Sequence, residues 1–209
     1  MGKRGLLIAG VGLPGVGKST ILKALAQQNQ WQRLAEPEEI HWPASVSKHD
    51  LAGVFTALTW FRTMRVQNLY YAAQLREQGH ISLVDCYYDK LMMYYIEQPQ
   101  MDWLISPEDP YFDLVKRMAA VDNIYLPTAD VIIFLTTTFE SWEQLILTRK
   151  RQLDLDRVFP HAFSFQAYLN KAVQQECDRS GSRLIIFENQ FGSIERSAEK
   201  LNEVVSAYI

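Results

Sequence analysis

The chain has 209 residues, enough for one α/β domain with a full core. Hydrophobic residues make up 48% and charged residues 22%, the balance of a globular chain, which excludes wholesale disorder. A net charge of −3 excludes a bulk electrostatic pull toward DNA, RNA or an anionic membrane.

At the N-terminus, Lys3-Arg4 and the apolar run that follows have the outline of a secretory leader. The run is short, however, and flows directly into a glycine-rich segment, so it is read as a first buried strand, about Gly5 to Val11. Position 6 is Leu, which argues against acylation of Gly2. Gly12-Leu13-Pro14-Gly15-Val16-Gly17-Lys18-Ser19 fits G-x-x-x-x-G-K-[ST], and a helix is predicted from Ser19 to about Gln28. Strand, glycine turn and helix together form a phosphate cradle, because backbone N–H groups and a helix N-terminus converge on negative charge. Gly12 through Thr20 is thus the expected ATP-binding segment. Lys18 would reach the terminal phosphates and the Ser19 hydroxyl would hold Mg²⁺.

A second strand is predicted from Trp31 to Ala35, weakened by Gln32 and Arg33, and it ends at Glu36-Pro37. His41 to His49 reads as polar and irregular. Helical spacing of Leu51, Val54, Phe55, Leu58 and Phe61 predicts a long helix from Asp50 to Gln78, capped by Asp50 and stopped by Gly79. Ile81 to Val84 is a third strand, with Asp85 at its end. A helix is predicted over Tyr87 to Ile96, a loop over Pro99 to Pro110, and another helix over Tyr111 to Val121. Val131 to Leu135 is the clearest buried strand. Helices over Glu140 to Thr148, Phe163 to Ser180 and Ile194 to Tyr208 flank a fifth strand at Leu184 to Phe187. Such alternation implies a parallel sheet covered by helices on both faces, with ligands at the carboxyl ends of the strands. The P-loop, Glu36 and Asp85 all fall at those ends.

Phosphoryl transfer needs a cradle, Mg²⁺, a group that orients or deprotonates the acceptor, and positive charge over the transferring group. Asp85 has two readings, a Mg²⁺ ligand facing the P-loop or a helix N-cap before Tyr87. Glu36 is either a base for a hydroxyl proton or a solvated member of an acidic loop. Arg149 and Arg151 either close over the phosphates as part of a lid around 149–160 or sit favourably at a helix C-terminus. Arg62 and Arg65, three apart on one helix face, either meet the acceptor or stay on the surface. Cys86 and Cys177 form no C-x-x-C, and with four histidines they offer no zinc pattern. Reduced thiols in the cytoplasm are expected.

Several of these positions together resemble the deoxynucleoside kinases, a P-loop family close to the thymidylate kinases. The resemblance runs over most of the chain: the P-loop, Glu36-Pro37 with Trp42 shortly after, the arginine-bearing long helix, and the acid after strand three. It continues through Leu126-Pro127, Ala129-Asp130, Thr148-Arg149-Lys150-Arg151 and Tyr168-Leu169. It implies a single P-loop kinase domain over 1–209, a three-layer α/β sandwich around a five-stranded parallel sheet. It also implies Glu36 as general base on a nucleoside 5′-hydroxyl, with Lys18, Arg149 and Arg151 as the other catalytic groups. Trp42, Arg62, Arg65 and Asp85 would contact the acceptor, and Ser19 and Asp85 would hold the Mg²⁺ that accompanies ATP. Related kinases pair through their long helices, which makes Asp50 to Gln78 a candidate homodimer surface.

Two departures stand out. The family usually has Glu-Arg-Ser or Asp-Arg-Ser after strand three, whereas this chain has Asp85-Cys86-Tyr87. A phenylalanine-glutamine pair often reads the base, whereas this chain has Phe55-Thr56, and threonine cannot make a bidentate amide contact. The rival readings are a nucleoside monophosphate kinase and a nucleotide-binding module without catalysis. A GTPase switch fits poorly, since Asn170-Lys171-Ala172-Val173 lacks the acid of N-K-x-D.

Overall fold

The computed structural model describes residues 5–47, 49–149 and 160–209. Its centre is a five-stranded sheet, all parallel, in the order β2-β3-β1-β4-β5. The strands are β1 (Leu6–Gly12), β2 (Gln32–Leu34), β3 (Ile81–Val84), β4 (Val131–Thr136) and β5 (Arg183–Glu188). Both alternating faces of β1 are buried: Leu7, Ala9 and Val11 on one, Ile8, Gly10 and Gly12 on the other. A run with no polar side is what a strand covered by helices on both faces requires. The edge strand β2 is short, in keeping with Gln32 and Arg33, and the edge strand β5 is half exposed.

Helix α1 (Lys18–Asn29) follows the P-loop, and a short helix α2 (Ala44–Ser47) lies where irregular chain was expected. Pro43 starts α2, its carbonyl accepting from the N–H of Val46 and Ser47, and Val46 is buried beneath. Helix α3 (His49–Glu77) is the predicted long helix, begun one residue earlier and interrupted at Gly53. Gly53 has φ 73° and ψ 166°, a left-side conformation that glycine alone adopts freely. The helix expected over 87–96 shortens to α4 (Tyr88–Leu91) and a 3₁₀ turn at Met92–Tyr94. Then come α5 (Phe112–Tyr125), α6 (Phe139–Arg149), α7 (Pro160–Phe163), α8 (Phe165–Ser180) and α9 (Ile194–Ser206). Pro127 forces Leu126 into extended backbone and so ends α5.

Helix α3 packs on β1 and β3, α8 on β4 and β5, and α1 on β1 and α9. Chain direction along the sheet reverses at β1, so the carboxyl ends of β1, β3 and β4 open a crevice where ligands of such sheets bind. Among the described residues no helix is long and apolar enough to cross a membrane.

Candidate functional site

The P-loop links β1 to α1, and its two inner glycines carry the bend. Gly15 and Gly17 have φ 83° and 82°, values that penalise any side chain. A Cβ on Gly15 would also lie 2.3 Å from Ile146 Cδ1. Three side chains from distant parts of the chain take the loop's carbonyl oxygens. Tyr88 Oη donates to Gly12 O, Trp142 Nε1 to Pro14 O at 2.9 Å, and Asn189 Nδ2 to Val16 O at 2.7 Å. With its carbonyls held by protein donors, the loop is fixed in the orientation that turns N–H dipoles toward an anion. Lys18 Nζ donates to the backbone carbonyl of Asp85, and Ser19 is exposed on the same rim.

A cleft of about 490 Å³ opens over this loop. Gly15, Gly17, Lys18, Ser19 and Thr20 line one part of it, with Leu145, Thr148 and Arg149 from α6. Glu36, Trp42 and Val46 line another part, from the segment after β2. The loop carrying Glu36 is fastened on both sides. Asn68 Nδ2 donates to Ala35 O at 3.0 Å, and Trp42 Nε1 donates to Pro37 O at 2.9 Å. Helix α3 contributes Val54, Ala57, Leu58, Phe61 and Arg65, a stripe at helical spacing.

Arg65 is the hub of the charged part. It is buried, with Nη1 at 3.5 Å from Glu36 Oε1 and Nε at 2.9 Å from Asp89 Oδ2. The second contact is poorly aligned for a hydrogen bond, so it acts chiefly through charge. Phe61 and Tyr88 rings lie 5.4 and 5.9 Å from the guanidinium. Burial opposes the charge on Arg65, but Asp89, Cys86 and Glu36 outweigh it and raise its pKa well above the ordinary value. Burial raises the pKa of Asp89, with Arg65 pulling against it. Cys86 Sγ lies 3.5 Å from Arg65 Nη1. A guanidinium therefore does stand beside position 86, brought by α3 rather than by the residue after β3.

Burial pushes the Cys86 thiol up to about 12 and the Cys177 thiol up to about 11. Both should be inert: at pH 8, iodoacetamide should label Cys86 about 10³-fold more slowly than a free thiol, because only the thiolate reacts. Mass spectrometry before and after denaturation checks this.

Two expected site residues, Asp85 and Arg62, stand elsewhere. The Asp85 carboxylate is almost wholly buried and held by Arg33 through both Nε and Nη2, so only its backbone carbonyl faces Lys18. It does not line the cleft, and both of its oxygens are taken by Arg33. Arg62 pairs in bidentate fashion with Asp122 of α5, both contacts at 2.6 Å, and is absent from the cleft wall. Phe55 stacks on Tyr111 with centroids 4.3 Å apart, so Phe55-Thr56 does not face the cleft. Arg151 and most of the segment 149–160 lie outside the described residues; Arg149 ends α6 on the cleft rim.

The donor set suits Mg²⁺ bound with ATP. Among the described residues no group of three His, Cys, Asp or Glu could cage a metal. An exposed Ser19 hydroxyl beside a phosphate cradle matches an ion that keeps its waters and takes substrate phosphates as ligands. Tyr88, Trp142, Asn189 and Asp89 were not anticipated. Asn189 could have been, since it follows the last strand at its ligand-binding end; Trp142 has no sequence signal.

No protein-family model matches the chain, and no curated protein matches it. Solved structures do. A deoxyadenosine kinase from M. mycoides with bound dATP superposes with a TM-score of 0.62 at 18% identity, over 96% of this chain and 100% of that one. The same enzyme with dCMP and dCDP gives 0.62 at 16%, over 97% and 100%. A thymidylate kinase from Candida albicans gives 0.61 at 17%, over 98% and 92%. At these identities the likeness establishes the P-loop kinase fold.

Proposed function

We propose that the protein transfers the γ-phosphoryl group of ATP to a small hydroxyl acceptor, the 5′-hydroxyl of a (deoxy)nucleoside being the reading best supported. One observation carries it: Glu36 lines the same cleft as Lys18 and Ser19, on a loop pinned at Ala35 and Pro37. Glu36 takes the hydroxyl proton while the acceptor oxygen attacks the γ-phosphorus. The bond from that phosphorus to the β,γ-bridging oxygen breaks, and ADP leaves. Lys18 and the P-loop amides hold the phosphates; Arg149, with Arg151 from the undescribed segment, supplies charge to the transferring group. Mg²⁺, held by Ser19, would neutralise phosphate charge when bound. The structural neighbours, kinases solved with dATP, dCMP and dCDP, support nucleoside chemistry.

A monophosphate acceptor is disfavoured by the charge balance. Arg65 already faces Glu36 and Asp89, and Arg62 faces Asp122. Among the described residues the acceptor part of the cleft is lined by one acid, Glu36, and one base, Arg65, whose charge Glu36 and the buried Asp89 already balance. Mixing the protein with Mg-ATP and panels of nucleosides, nucleoside monophosphates and unrelated alcohols, and following ADP release, tests the proposal. Turnover with nucleosides is expected. Turnover with monophosphates alone would overturn it, and ATP binding without turnover on any panel would mark an inactive nucleotide-binding module.

A further inference from the structure

Away from the P-loop and α6, Glu36 and Arg65 are the charged residues of the cleft wall, and the rest of that wall is chiefly apolar. The α3 stripe above Arg65 consists of Phe61, Leu58, Ala57 and Val54, and the wall is continued by Trp103 and Phe165. No asparagine or glutamine lines the cleft among the described residues. A carboxamide, with one acceptor and one two-proton donor, is the side chain that matches a nucleobase edge. Leu58 and Ala57 occupy the stretch of α3 that could have presented one.

Three of the surrounding aromatic rings turn their polar atoms to the backbone. Trp42 Nε1 donates to Pro37 O, Tyr88 Oη to Gly12 O, and Tyr95 Oη to Tyr88 O at 3.2 Å. The rings hold one another edge-on: Trp42 on Phe61 at 4.9 Å, Tyr95 on Phe165 at 5.0 Å, and Trp103 on Phe165 at 5.4 Å. Such clusters are rigid and apolar, and they favour a flat occupant that needs no polar partner. The two threonines of the cleft, Thr20 and Thr148, stand with the P-loop and α6, on the ATP side.

We propose that this cleft selects its acceptor by shape and ring contact and leaves the acceptor's hydrogen-bonding edge unread. Its substrate class is then the aryl-bearing hydroxymethyl compounds, comprising nucleosides and their nonpolar isosteres alike. This rests on the preceding reading in placing the acceptor hydroxyl at Glu36. Discrimination separates a read edge from an unread one. A site built to hydrogen-bond a group rejects the analogue lacking it by about 10⁴-fold or more, whereas an apolar pocket seldom separates similar shapes beyond about 10²-fold.

Thymidine and its difluorotoluene deoxyriboside isostere are the probes, each given to the wild-type protein with Mg-ATP. A kcat/KM for the isostere within about 10²-fold of that for thymidine, or above it, is the expected result. A larger preference for thymidine would overturn the inference while leaving the kinase reading intact. If neither compound is phosphorylated, fluorescence of Trp42 and Trp103 in the cleft wall reports binding. An isostere that binds within the same factor of thymidine then upholds the inference, while the missing turnover counts against the kinase reading for this acceptor. An isostere that fails to bind overturns the inference.

Discussion

Replacing Lys18 with alanine should lower ATP turnover by at least about 10³-fold while moving the thermal midpoint by no more than about 4 °C. Lys18 is 7% exposed, with its ammonium beside the Tyr88 ring and donating to the Asp85 carbonyl. At that degree of burial, a unit charge about 4 Å from a phosphate charge contributes about 4 kcal/mol at an effective dielectric constant near 20. That energy is about 10³ in rate if it is felt in the transition state. The fold should be nearly indifferent. Alanine forfeits a charge-assisted bond to one carbonyl but also removes a buried cation, and the two effects oppose each other. Single-turnover phosphorylation and a melting curve on the same preparation check both halves. Activity near the parent's would mean that Lys18 does not meet the phosphates.

What could be read from the sequence was what is local. Strand, glycine turn and helix lie within one contiguous stretch, and the glycine conformations at 15 and 17 follow from the motif. Glu36 could be placed because a residue just past a parallel strand lies at the ligand-binding end. Other positions depend on which way a side chain turns. Arg62 and Arg65 differ by about 60° around a helix axis, and that rotation sends one to Asp122 on α5 and the other into the cleft. No spacing rule contains the position of α5.

Asp85 shows the same limit in a strand. Its place at the end of β3 was legible; its direction was set by Arg33 on the neighbouring β2, whose register puts Arg33 opposite Leu83. Arg33 had looked like a flaw in a weak strand, and it is the half-buried partner of the buried acid. The clamp of Tyr88, Trp142 and Asn189 on the P-loop joins residues more than seventy positions from it, so only the assembled sheet brings them together. The arginine lacking after β3 is a further case. Cys86 cannot supply charge, and α3 delivers Arg65 to the same place.

Glu36→Gln should reduce turnover by roughly 10²–10⁴-fold, the usual worth of a positioned general base, with ATP affinity near the parent's. The substitution keeps size and shape and leaves an amide oxygen able to face Arg65, 3.5 Å away in the parent. It removes the ability to take a proton. A second role is conceivable for the same carboxylate, that of holding Arg65 in the cleft against the pull of Asp89 at 2.9 Å. Comparing Gln with Ala at position 36 separates the two. If Glu36 only anchors the guanidinium, Gln should retain turnover within about 3-fold and Ala should lose it, since only Ala lacks an acceptor for Arg65. If Glu36 is the base, both variants should fail alike in the chemical step, while equilibrium binding of ATP stays near the parent's. Acceptor-dependent turnover by Glu36→Gln close to the parent rate would remove the base from the mechanism.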